Sequence, residues 1–126
     1  MGASRDPVVR AAQLTSLALG AIDAGYACLL PRPGSLAERF TGPSSGAWHE
    51  WAPGILASAA AAHATAVVAP SERSMATVAL LRGTVAPGHL SLMALDPTMR
   101  RRSTGLFAVN AGAAVLSWWA SRRLRS

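Results

Sequence analysis

The stretch "APGILASAAAAHATAVVAP", residues 52–70, holds no acidic or basic side chain other than His63. A helix on the outside of a soluble bundle needs a polar stripe along its solvent face. This stretch offers none, so its helix is either buried on every side or set against lipid. "STGLFAVNAGAAVLSWWAS", residues 103–121, has the same character. A chain of 126 residues has too little interior to bury several such helices completely. The two stretches together therefore argue for a membrane.

Two further apolar segments complete the plan, at 11–30 and 74–95. Pro31 and Pro33 stop the first, Pro53 opens the second near its first turn and Pro70 closes it. Asp96-Pro97 ends the third, and Ser103 is a fitting N-cap for the fourth. Each segment is about 18–22 residues, enough to cross ~30 Å of hydrocarbon at about 1.5 Å per residue. No strand-like alternation runs through the chain. The expected fold is all-α: one polytopic domain over 1–126, a bundle of four transmembrane helices with approximate spans 11–30, 53–70, 74–95 and 103–121.

Charge placement agrees with that plan. Only 14% of residues are charged, and all twelve basic residues are arginine, giving a net charge of +6. Most cluster at the N-terminus, at 32–39, at Arg100-Arg101-Arg102 and at Arg122-Arg123-Leu124-Arg125. A nucleic-acid surface would interleave such residues with polar and aromatic ones, whereas here they bracket apolar segments. Nucleic acid is not an expected partner; the lipid bilayer is, with a homo-oligomer or larger membrane complex open. Trp48, Trp51 and Trp118-Trp119 flank segments as an interfacial aromatic belt would. If four spans are crossed, six arginines lie on the side of the termini and five on the other. That weak bias places the termini in the cytoplasm of an inner membrane.

Smaller signals follow. Ser16, Gly20 and Ala24, and again Ala108 and Gly112, have the small-residue spacing that lets helices approach in lipid. Cys28 is alone, so no disulfide or cysteine metal site is expected, and its apolar surroundings predict burial. The first segment reads as a retained helix and not a cleaved signal: Asp23 sits where a signal core should be uncharged, and Gly25 stands three positions before Cys28 where a lipoprotein signal wants an aliphatic residue. "GSLAERF", with Leu36 and Phe40 four apart, reads as a short helix lying on the membrane. "WHEW" at 48–51 lacks the second histidine of a zincin, and no metal, cofactor or nucleophile–base pair is expected.

Each segment carries one conspicuous polar residue near its midpoint: Asp23, His63, Arg82 and Asn110. At about 1.5 Å per residue all four fall within ~4 Å of one plane. His89 follows Arg82 by two turns on the same face. An arginine at the bilayer centre costs ~2.5–3.5 kcal/mol, and the Leu and Val residues of its segment return roughly 2–4 kcal/mol in total. The helix needs a partner for Arg82, and Asp23 is the only acid inside another segment. The spacing therefore predicts an Arg82–Asp23 ion pair. Pro87 deprives the Gly83 carbonyl of its helix partner, which with Gly88 predicts a soft, polar-lined break beside the pair. The five polar residues are either a clasp that sets helix register or the lining of a small central pocket.

The exit of the first segment, "LGAIDAGYACLLPRPGSLAERFTG", resembles small bacterial four-helix membrane proteins of uncharacterised or DoxX-like type. In those, a Gly-rich first helix runs into a proline and a short Leu-Ala-x-x-Phe-Gly stretch. The likeness covers about thirty residues and implies a fold plan without catalytic residues. Length and an acid in the first helix are also similar to small multidrug transporters, although the residues around Asp23 depart from that family's motif. The expected role is accessory or ligand-binding. A proton-coupled transporter using Asp23, and a membrane enzyme using His63 or His89 as acid or base, are the alternatives.

Overall fold

A computed structural model describes residues 6–30, 32, 34–36, 47–95 and 100–125. Four helices account for nearly all of them: α1 (Pro7–Leu29), α2 (Ala47–Val68), α3 (Glu72–Leu95) and α4 (Arg100–Arg125). They run up and down in turn around one axis, with α1 against α2 and α3 against α4 as the closest pairs. Contacts of α1 with α4 and of α2 with α3 close the ring.

Helix ends follow local chemistry. Asp6 caps α1 by accepting from the backbone N–H groups of Val8 (2.8 Å) and Val9 (3.4 Å), and Pro7 supplies the first-turn residue that needs no donor. Ser71 and Ser74 cap α3 reciprocally: Ser71 Oγ accepts from the Ser74 N–H at 3.1 Å, and Ser74 Oγ accepts from the Ser71 N–H at 2.9 Å. Glu72 begins α3, and Arg125, in the last turn of α4, bonds it, pinning the two ends together. That bond holds the Glu72 carboxyl below its ordinary pKa and raises that of Arg125.

Several expectations need correction. Ser103 is not a cap: α4 starts a turn earlier at Arg100, and Ser103 is buried within it. Pro53 lies inside α2 and does not open it, because the helix begins at Ala47. Cys28 is exposed, because it sits on the outer face of α1. Ala108 and Gly112 also face outward, and a methyl group added at Gly112 would meet nothing within 4 Å. Small-residue packing is instead realised on α1, where Ser16 is buried and Gly20 meets α2, while Ala24 is exposed. The expected interfacial helix at 34–40 lies mostly outside the described residues, as do Asp96-Pro97 and the side chains of Trp48, His49, Glu50 and Trp51.

Buried positions recur every seven residues: Val9, Ser16 and Asp23 on α1, with Leu30 at its C-cap; Ala52, Ala59 and Ala66 on α2; Met75 and Arg82 on α3; Ser103, Asn110 and Ser117 on α4. A seven-residue repeat is the seam of helices packed with a left-handed supercoil. Two apolar clusters close the bundle. Near the termini, Val9, Ala12, Ala66, Met75, Val78 and Ala120 pack together. At the other end Leu30 and Ala52 pack with Tyr26, Leu29 and Leu56.

Among the described residues no helix is both long and apolar enough to cross a membrane. The helices run 22–26 residues, so length is sufficient and apolarity is what falls short. Glycine, serine and threonine add nothing to the hydropathy of these helices, and the charged and amide residues at the core lower the average further.

Candidate functional site

Between the two apolar clusters lies a polar layer centred on Arg82. It is 6% exposed, against 6% for Asp23, 0% for His63 and 5% for Asn110. One guanidinium reaches all three other helices. Its Nη2 bonds the Asp23 carboxylate on α1, its Nε donates to His63 Nε2 on α2 at 2.9 Å, and its Nη1 donates to Asn110 Oδ1 on α4 at 3.2 Å. Arginine suits this role because five donors fan out from one rigid plane.

Each partner is held in turn. His63 accepts at Nε2, so its neutral ring carries its proton on Nδ1. Asp23 Oδ2 is also 3.9 Å from His63 Nε2. Asn110 donates from Nδ2 to the Leu106 carbonyl at 2.8 Å, which fixes its amide, and the same nitrogen is 3.4 Å from His89 Nε2. All five polar residues singled out from the sequence thus fall in one connected group. Four form the central layer, and His89 is attached through Asn110.

Gly20 is a participant that its spacing alone did not reveal as part of the site. A methyl group there would lie 2.8 Å from His63 Cβ, so the bare backbone of α1 is what admits the imidazole. The signal available in the sequence was its place in the small-residue series on α1; its partner across the interface was not readable.

The Pro87-Gly88 pair departs from expectation. Helix α3 continues through Pro87, and both residues are exposed on the face away from the cluster. Gly83 is exposed as well. The residue whose carbonyl Pro87 leaves without its helix partner is thus on an exposed position of a continuous helix, and no break beside the polar layer is seen among the described residues.

Space for a ligand lies elsewhere. An open groove of about 470 Å³ runs between α1 and α2, lined by residues such as Leu17, Gly20, Ala21, Ala60, Ala64 and Val68. None of the five polar residues lines it. Among the described residues no group of three or more His, Cys, Asp or Glu side chains converges as a metal-ligand set. The arrangement is a hydrogen-bond hub, in which each of the three guanidinium nitrogens finds a partner in the protein itself. Comparison with family models, with curated proteins and with solved structures gives no match for this chain.

Proposed function

We propose that the chain is a small integral membrane protein of accessory or ligand-binding role, and that the Arg82 cluster is the clasp that fixes its four helices. One observation carries the reading: the middle of the bundle is polar at its core and largely apolar on its outer face. Among the described residues, Asp23 and Arg82 are the only charged groups away from helix ends, and both are buried. Meanwhile Leu14, Leu17, Ile22, Leu80, Val109 and Val115 are exposed along the middle of the bundle, Leu80 at 70%. In water such a surface would drive aggregation or demand a partner; in lipid it is the expected exterior.

The low hydropathy of the helices is compatible with this reading. An average over a whole helix counts polar residues that never meet the bilayer, whereas a bundle partitions by its outer face. The expected DoxX-like fold plan and an inner-membrane location belong to the same proposal. A guanidinium whose three nitrogens each find a protein partner favours the clasp over a pocket at this level, which leaves any ligand to other surfaces or partners.

The test is an alkaline carbonate wash of membranes from cells producing the chain, followed by gentle detergent purification and mass spectrometry. Retention in the washed pellet, with lipid or a larger complex in the purified fraction, is the expected result. Release into the supernatant as a soluble species sinks the membrane reading.

A further inference from the structure

Most hydroxyl groups among the described residues have a partner in the protein, including the buried Ser121, which donates to Trp118 O at 2.7 Å, and Ser74, which donates to Ala69 O at 3.1 Å. Outward-facing ones bond their own helix: Ser58 donates to Gly54 O, Thr65 to Ala61 O and Thr77 to Arg73 O, each at 2.9 Å, and Thr84 to Leu81 O at 2.8 Å. The inward Ser16, Ser103 and Ser117 do not. Each is at most 1% exposed, and its hydroxyl has no partner in the protein. The Nδ1 atoms of His63 and His89 are buried and unpartnered as well.

Their register puts these groups in pairs. Ser16 precedes Asp23 by one heptad and Ser117 follows Asn110 by one, so on antiparallel helices both fall in the layer next to the Arg82 cluster on the side of the termini. His89 follows Arg82 by one heptad and Ser103 precedes Asn110 by one, which places them in the layer on the other side. The first layer therefore holds two buried hydroxyls without a partner, and the second holds the buried Ser103 hydroxyl beside the buried, unpartnered Nδ1 of a half-buried His89 whose Nε2 reaches back to Asn110; both layers are centred about 10 Å along the axis from the cluster. Buried polar groups are costly unless bonded, and a water with two or more polar neighbours is the usual remedy.

We propose that the bundle binds internal water at two sites, one at the Ser16–Ser117 layer and one at the His89–Ser103 layer. With the Arg82 cluster between them these sites form a polar axis. The apolar clusters around Met75 and around Leu30 close it at both ends. The axis is a hydrated interior closed at both ends, with the buried Ser16 in the wall that separates it from the α1–α2 groove.

The experiment is water-edited solid-state NMR on the full chain reconstituted in phosphatidylcholine–phosphatidylglycerol bilayers, with isotope-labelled serine, threonine and alanine. Water itself is the probe. Ala12 and Ala120, fully buried in the apolar cluster, give the dry reference whether or not the chain sits in lipid. Transfer from water to Ser16, Ser103 and Ser117 severalfold above that reference is expected. Transfer no greater than to Ala12 and Ala120 overturns the proposal. Ser58 and Thr84 separately test the membrane reading: they stay dry in lipid, and strong transfer to them counts against the bilayer while leaving the serine comparison intact.

Discussion

Arg82 concentrates the largest single energetic stake in the molecule. A buried ion pair adds little when intact, because desolvation offsets attraction, but removing one partner strands the other charge at a cost of about 3–5 kcal/mol. Arg82→Ala and Asp23→Ala are each expected to lose about that much stability, read by denaturation in detergent. The exchange Asp23→Arg with Arg82→Asp should recover part of the membrane accumulation that either single variant loses. An exchange as unstable as the singles would remove the pair from the account. Gly20 is the complementary case. Gly20→Ala forces a methyl group against His63 and should cost about 1–3 kcal/mol. Gly88→Ala, with nothing within 4 Å of the added methyl, should be neutral or slightly stabilising.

Among the elements, the α3–α4 hairpin carries a surface device with a definite pH signature. Glu72 at the start of α3 bonds Arg125 at the end of α4, and both charges suit the helix dipoles they sit on. The carboxyl is held below its unfolded value, so its contribution is full above that value of 4.5 and is lost as pH falls through the lower folded pKa. Glu72→Gln should flatten the acid limb of stability against pH and leave neutral behaviour nearly unchanged, since an exposed pair is worth little. A variant that melts no differently from the parent between pH 7 and the acid limb would show that the bond does not tie the hairpin. At the same end, Arg122 lies over Trp118 at 5.6 Å and Arg123 over Trp119 at 5.9 Å. Both rings are about half exposed, which suits amphipathic groups at a boundary between lipid and water.

The bundle as a whole makes a prediction about depth. In a chain with Trp48 and Trp51 changed to Phe, the fluorescence of Trp118 and Trp119 should be quenched more by headgroup-region labels than by labels at the bilayer centre. Stronger quenching from the centre, or none from either, would contradict the proposed placement of the C-terminal end of α4.

Much of this architecture is legible in the chain because it rests on local chemistry. Prolines punctuate, long segments free of charge become helices, and a lone arginine inside one of them needs the lone acid inside another. Composition alone therefore yields four helices and the five residues of the polar group. Details that depend on facing did not follow. Whether Cys28, Ala108 or Pro87 points in or out depends on the rotation of each helix about its axis. Neighbours set that rotation, through the seven-residue seam and through contacts such as Gly20 against His63. The segment ends moved for a related reason, since capping by Asp6 and Ser71 and the start of α4 at Arg100 extend helices into polar sequence that hydropathy would exclude. Segment identity is thus a property of residues taken in order, while the hub around Arg82 and the inward serines exist only because packing turns particular faces toward one axis.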